Sequence, residues 1–259
     1  MKIRILGCGT SSGVPRIGGP DGRGDWGDCD PAEPRNRRTR ASIIVETETT
    51  RILVDTSPDM REQLLAAAVD EVDAVIWTHD HADHCNGIDD LRQLYQKRNR
   101  PVRGLALEAT GRGLRARFGY AFDGKDGYPP SVALGVLQPT QMIGDIVVGA
   151  VPQPHGAIVS AGLTFEHVGR RAVYATDFNA LTDEMRAAYQ ACDLWVVDAL
   201  RRRPHPTHPD LATVLRWRGE IGARRTVLVH MDWSMDYVPL CAEVPEDVLP
   251  AHDGLEIAA

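Results

Sequence analysis

The chain is poor in the features that mark secreted, membrane-embedded or polyanion-gripping proteins. Its five cysteines, Cys8, Cys29, Cys85, Cys192 and Cys241, are odd in number and widely scattered, which argues against a disulfide framework. No apolar run is long enough to cross a bilayer, and the opening Met-Lys-Ile-Arg-Ile enters a strand without a signal-peptide core. A cytoplasmic protein with no membrane partner is therefore expected. Positive charge is short as well: the formal net charge is −7, and outside Arg35–Arg40 and Arg201–Arg203 little basic surface is available to hold extended nucleic acid. Neither a repeat of solenoid length nor a low-complexity linker is present, so the 259 residues, 43% hydrophobic, are expected to form one domain spanning 1–259.

What the chain does have is a concentrated ligand set. Thr78-His79-Asp80-His81-Ala82-Asp83-His84 places three imidazoles and a carboxylate within six residues, in a protein with only 9 histidines. The apolar run Ala74-Val75-Ile76-Trp77 precedes it and Asn86-Gly87 follows, so the ligands are expected on a tight loop between a buried strand and a helix. Two residues apart, His79 and His81 would splay on a helix but can converge at a strand exit, unlike the helical His-Glu-x-x-His zinc motif. Helix capping by Asp83 is the ordinary alternative.

Three later segments repeat the arrangement of an apolar strand ending at a possible ligand. Ile146–Val151 leads through Pro152-Gln153-Pro154 to His155, Ala172–Thr176 leads to Asp177, and Thr226–Val229 leads to His230. A lone His or Asp at a strand end is more often hydrogen-bonded structure than a ligand. Four coincident segments reverse that expectation, because aligned strands bring their C-terminal ends to a common rim.

This order of motifs resembles the metallo-β-lactamase superfamily, with its His-x-His-x-Asp-His signature, a distal His, a bridging Asp and a final His. The resemblance implies an αββα sandwich and a dinuclear metal-dependent hydrolase. By it, His79, His81 and His155 hold one divalent ion, Asp83, His84 and His230 hold the other, and Asp177 bridges them. Asp83 has a double possibility, as ligand and as catalytic proton acceptor, and Asp55, ending Ile52-Leu53-Val54, looks like a supporting carboxylate. Such a His/Asp set accepts zinc, manganese or iron.

A second set of residues narrows the reading. Asp198-Ala199-Leu200-Arg201, with Pro204-His205-Pro206-Thr207-His208-Pro209-Asp210-Leu211, is similar to the segment that carries a non-metal histidine in the cyclic phosphodiesterases of the carbon–phosphorus lyase pathway. His208 is the matching residue, placed to protonate a departing alkoxide, and His205 competes for that role. Asp198 and Arg201 are further supporting or substrate candidates. Leu6-Gly7-Cys8-Gly9-Thr10-Ser11-Ser12-Gly13-Val14-Pro15 resembles the glycine-rich turn near the active site of these enzymes, although most such turns only turn. The Arg35–Arg40 run suits a solvated face slightly better than a phosphate guide. One departure stands out: the phosphonate-pathway member's additional structural zinc sits on closely spaced cysteines, whereas Gly18 to Asp30 holds only Cys29, and Trp233 takes the place of a late histidine ligand. No structural zinc is expected.

The implied chemistry follows from charge. Two divalent ions about 3.5–4 Å apart share a water and lower its pKa toward about 7, giving a bridging hydroxide. With two carboxylates the site sums to roughly +1, which suits one anionic group, so hydrolysis of a small phosphodiester leads. A thioester or lactone hydrolase on the same metals and a transfer-RNA 3′-processing nuclease are the alternatives, and a metal-binding module without turnover is a third class. A homodimer is the base-rate expectation.

Strands are expected at Ile3–Gly7, Ser42–Thr47, Ile52–Asp55, Ala74–Thr78, Leu105–Ala109, Ile146–Val151, Gly162–His167, Ala172–Thr176, Leu194–Asp198 and Thr226–Val229. Helices fit Pro58–Val69, Gly87–Lys97 and Leu211–Arg218, whose apolar stripes read as core. Ile17 to Arg40, rich in Gly, Pro and Asp, is expected to be a mobile surface loop.

Overall fold

The computed structural model describes residues 1–259. Fully apolar runs such as Ala74–Trp77 are strands buried on both faces, and alternation decides which layer each residue enters. In β2 (Ser42–Glu46), β3 (Arg51–Val54) and β4 (Ala74–Trp77), the residues Ile43, Val45, Ile52, Val54, Ala74 and Ile76 join the main core, which reaches through to the second sheet. Their alternates Ile44, Leu53, Val75 and Trp77 face the opposite way, against a helical layer. Trp77 is fully buried there, and its truncation to Ala would cost about 3–5 kcal/mol.

The first sheet also contains β1 (Lys2–Gly7), β5 (Val102–Ala106), β6 (Val132–Val136) and β14 (Glu256–Ala258), in the order β14-β1-β2-β3-β4-β5-β6. The second comprises β7 (Thr140–Ile143), β8 (Ile146–His155), β9 (Ile158–His167), β10 (Arg170–Ala175), β11 (Leu194–Asp198), β12 (Thr226–Val229) and β13 (Val248–Pro250), in the order β13-β12-β11-β10-β9-β8-β7. Each sheet is half antiparallel and half parallel: β3 to β6 run parallel in one, β10 to β13 in the other. Helices α1 (Met60–Ala66), α3 (Leu91–Arg98) and α4 (Glu108–Asp123) cover the first sheet, while α5 (Asp183–Tyr189), α6 (Leu211–Ile221) and α7 (Tyr237–Glu243) pack on the second. The short α2 (Ala82–Cys85) lies in the histidine loop. This is the αββα sandwich.

Several elements differ from the sequence reading. β5 begins at Val102 and stops at Ala106, because Glu108 opens α4, a helix that Gly111, Gly113, Gly119 and five arginine or acidic positions disguise. Gly113 leaves room for Asp80: a Cβ there would lie 2.2 Å from its carboxylate oxygen, which would have to move. β8 continues through Pro152 and Pro154 to His155, since β7 pairs with it only as far as Gly149 and the missing N–H groups face an open edge.

Ile17 to Arg40 is anchored at several points. Cys29, Asn36 and Arg38 are buried, and the Arg38 guanidinium donates to the carbonyls of Asp232 (3.2 Å) and Met235 (2.5 Å). The arginine run is consequently not a free solvated face: Arg35 pairs with Glu33 at 2.6 Å, Arg40 with Asp59 at 2.9 Å, and Arg37 lies over Trp26. In the region where the resemblance places an additional zinc, Cys29 Sγ–H donates to the Trp233 carbonyl at 3.2 Å and Arg16 stacks on the Trp233 ring. No helix is long and apolar enough to cross a membrane.

Candidate metal centre

All seven candidate ligands meet at one rim. His79 and His81 leave the C-terminal end of β4, and α2 turns Asp83 and His84 back toward them; His155, Asp177 and His230 end or follow β8, β10 and β12. The ligand atoms fall into two neighbouring groups, His79 with His81, His155 and Asp177, and Asp83 with His84 and His230. Asp177 lies between them: Oδ1 is 3.9 Å from His79 Nε2, 3.7 Å from His155 Nε2 and 3.6 Å from His230 Nε2, and Oδ2 is 3.2 Å from His84 Nε2. Asp83 Oδ2 approaches His84 Nε2 at 3.3 Å and His230 Nε2 at 3.5 Å.

The backbone is bent to achieve this. Asp55, Asp177 and His230, each just past a strand end, have φ of 64°, 55° and 57°, left-handed values that cost a side-chain-bearing residue about 1–3 kcal/mol and cluster at functional sites. Glycine would adopt the turn freely but would bring no carboxylate or imidazole.

Supporting hydrogen bonds orient the rings. Thr78 Oγ1 donates to Asp55 at 2.8 Å and so accepts from His79 Nδ1–H at 3.0 Å. His84 Nδ1 is 2.8 Å from Asp55 Oδ2, and His155 Nδ1 is 2.9 Å from the Thr207 carbonyl. Each ring therefore spends Nδ1 on the protein and turns Nε2 inward. There the buried Nε2 atoms of His79, His84 and His230 have no hydrogen-bond partner. Unsatisfied buried nitrogens facing two carboxylates carry a desolvation cost that a divalent cation would remove, so the residues present fit the metal pair.

Titration reflects the same crowding. Burial works against charging His84 and His230, but Asp177, with Asp83 and Asp55 around His84 and Asp198 beside His230, pushes both well above the ordinary imidazole range. Burial and the neighbouring His84 push His79 well below it, and burial lowers His155. Asp83 and Asp177 are held low because His84 and His230 outweigh burial. In the metal-free protein, imidazolium protons thus stand in for the positive charge that the carboxylates demand.

The remaining candidates divide. His208 joins the site: its Nδ1 donates to Asp198 Oδ2 at 2.7 Å, its ring stacks on His230 with centroids 5.0 Å apart, and it lines a 290 Å³ cavity with His81, Asp83 and His155. Asp177, His208 and His230 also approach closely enough to form a third ligand group. His205 packs against His208 at 5.1 Å, with Nδ1 accepting from the Thr207 N–H at 3.3 Å. Arg201 is not brought to the cavity; its guanidinium donates to the carbonyls of Arg203 and Pro204 and braces its own loop. The glycine-rich turn does reach the cavity: Gly9 and Thr10 dock on Met231, and Ser11 lines the mouth. Sequence reasoning missed Thr207, whose contribution is a backbone carbonyl, and the Gly156–Ile158 hairpin tip that completes the wall.

With this geometry established, comparison is informative. Residues 50–231 match the family model of the β-lactamase superfamily domain. A crystal structure described as a new diphosphatase from the PhnP family is 32% identical, with a TM-score of 0.88 over 99% of this chain and 97% of that one. An octanoyltransferase of Porphyromonas gingivalis is 33% identical over 99% of this chain, which spans about half (51%) of that protein's length. Coenzyme PQQ synthesis protein B of Xanthomonas campestris pv. campestris is 24% identical across all of both chains.

Proposed function

The chain belongs to the β-lactamase superfamily, and from that premise we propose that it is a dinuclear metal-dependent phosphodiesterase acting on a small phosphodiester, cyclic esters included. The reading rests chiefly on one observation: a His/Asp cradle with unpartnered inward Nε2 atoms adjoins an imidazole, His208, that a carboxylate outside the cradle holds in place. Likeness to a diphosphatase supports a reaction at phosphorus.

His79, His81 and His155 would hold one ion, Asp83, His84 and His230 the second, with Asp177 between them. Divalent ions there supply Lewis acidity, polarising a phosphoryl oxygen and acidifying water. As the imidazolium, His208 gives Nδ1–H to Asp198 and has an Nε2–H to deliver to the departing alkoxide, leaving the neutral ring. His205, which competes with His208 on sequence grounds, packs behind it and is not among the residues that line the cavity, so His208 takes the role. Asp83, reachable from the cavity, accepts the proton released when water attacks. The lining includes Ser11, Gly156 and Thr207 and no lysine or arginine, so substrate charge is met by the ligand cradle itself.

The test is chelation followed by add-back of Mn²⁺ or Zn²⁺, reading hydrolysis of a bis-aryl phosphodiester beside a panel of thioesters, lactones and a 3′-extended transfer RNA. Loss and recovery of phosphodiester turnover is expected. Activity persisting in metal-free protein, or carbonyl-ester turnover beside negligible phosphodiester turnover, would overturn the reading.

A further inference from the structure

Asp177 sits at the junction of the two ligand groups on a backbone with φ of 55°. Near neighbours hold part of it: Thr176 Oγ1–H donates to Asp177 Oδ2 at 2.6 Å and the Asp177 N–H donates to Asp198 Oδ2 at 3.2 Å, while the two backbone carbonyls are held from elsewhere. Behind it, on the side of the second sheet covered by α5, lies a chain of buried polar groups that the ligand reading leaves unused. Gln153 of β8 and Ser160 of β9 are directly opposite across the strand pair and fully buried. Gln153 Nε2 donates to Ser160 Oγ at 3.0 Å and to the Thr176 carbonyl at 2.9 Å, while Ser160 Oγ–H donates to the Asp177 carbonyl at 2.7 Å. Tyr189 at the end of α5 donates its hydroxyl to Gln153 Oε1 at 2.9 Å. Gly162 makes room for this contact, since a Cβ there would lie 1.7 Å from the Tyr189 oxygen.

We propose that Ser160 and Gln153 are positioning residues for Asp177: by holding the carbonyls of Thr176 and Asp177 they fix the left-handed turn and aim the carboxylate between the two histidine groups. Two observations carry this. The carbonyls of the two peptides that flank the Asp177 Cα are gripped by one cross-strand pair, so neither peptide plane rotates without leaving buried donors unpaired. Gln153 also lies two residues before His155, so its bond to the Thr176 carbonyl joins the His155 strand to the Asp177 turn, beside the backbone bond from the Asn179 N–H to the Pro154 carbonyl at 2.9 Å. Orientation of an anionic ligand is thus set from the face opposite the cavity, where a substrate cannot disturb it.

The inference rests on Asp177 acting as a metal ligand, so its principal readout is metal affinity, measured by competition with a chromogenic chelator for Zn²⁺ or Mn²⁺. Ser160→Ala is compared with Tyr189→Phe, which removes a hydroxyl from the same network without touching the 176–177 carbonyls. Ser160→Ala is expected to weaken metal binding about tenfold or more and to lower kcat at saturating metal with KM little changed. Tyr189→Phe, with a similar loss of melting temperature, should keep metal affinity within about twofold. Ser160→Cys, which retains a weak donor at the same place, should restore part of the affinity, and it replaces Ser160→Ala if that variant does not fold. Equal metal affinity in Ser160→Ala and wild type, or in Ser160→Cys and wild type where Ser160→Ala does not fold, or equal losses in Tyr189→Phe, would overturn the proposal. Wild-type protein that binds no divalent metal would overturn it together with the metal reading. Metal binding without phosphodiester turnover would sink only the proposed reaction and leave the affinity comparison decisive.

Discussion

Asp55 and Asp198 are both fully buried, one at a strand end in each sheet, and each holds the Nδ1 of an imidazole, yet they are built differently. Asp55 accepts from the Thr78 N–H, the Thr78 hydroxyl and His84 Nδ1, all at 2.8 Å, so every partner belongs to the histidine loop. Asp198 divides itself: Oδ2 takes the His208 ring at 2.7 Å and the Asp177 N–H at 3.2 Å, while Oδ1 has no hydrogen bond and stands 3.7 Å from His230 Nδ1. Burial raises the Asp55 pKa and His84 only partly offsets it, whereas His208 and His230 together hold Asp198 below its ordinary value. The difference teaches that one carboxylate serves the histidine loop alone, whereas the other links Asp177 and His230 to His208 on the cavity wall.

The largest effect expected from breaking this division falls on the group Asp198 holds. His208→Ala should keep its full metal complement, read by elemental analysis, while kcat on a phosphodiester falls about 10²–10⁴-fold. Asp177→Ala should lose metal and turnover together. Wild-type turnover in His208→Ala would remove its assignment as proton donor.

Next come the two carboxylates themselves. Asp55→Asn should weaken metal binding about 10–100-fold, because His84 loses the acceptor that orients it. Asp198→Asn should cost mainly kcat and leave metal affinity closer to wild type; a metal loss as large as that of Asp55→Asn would erase the contrast.

The smallest effect is a pH dependence of the metal-free protein. His84 and His230 have raised folded pKa values, so their contribution to stability is complete below the unfolded value of about 6.5 and is lost as pH rises through the folded values. His79 and His155 are lowered and favour the folded state as pH rises toward about 6.5, after which they are neutral in both states. Asp83 and Asp177, lowered, stabilise above about 3.9 and lose that only as pH falls through their folded values. Between about pH 7 and 8, below thiol ionisation near about 8.5, the decline from His84 and His230 is therefore isolated. Thermal denaturation with chelator should show a melting temperature that falls across that window, and metal-loaded protein should lack the fall. A flat metal-free profile would mean that the carboxylates do not hold protons on these rings.

The parts of the fold that were legible share a cause. Buried strands such as Ala74–Trp77 and Leu194–Asp198 write themselves as apolar runs, and an ionisable residue directly after such a run is conspicuous. The short edge strands Val132–Val136, Thr140–Ile143, Val248–Pro250 and Glu256–Ala258 were not legible, because edge positions are largely exposed and carry little pattern. Likewise α4 was hidden by its three glycines, of which Gly113 lies against Asp80. Arg38 looked like part of a solvated run and is among the largest fully buried side chains, since its carbonyl partners lie almost two hundred residues away at Asp232 and Met235.

The sequence by itself determined the candidate ligand types and the strand ends that carry them, because these are local properties of composition and periodicity; the αββα sandwich was what the resemblance carried by those motifs implied. Tertiary structure alone decided which nitrogen of each ring faces inward, that Thr207 lends a carbonyl to His155, that Arg201 braces its own loop, and that Gln153 and Ser160 stand behind Asp177. Those facts depend on backbone groups and on partners brought together only when two sheets close, and hydrogen-bond geometry across such distances leaves no trace in residue order.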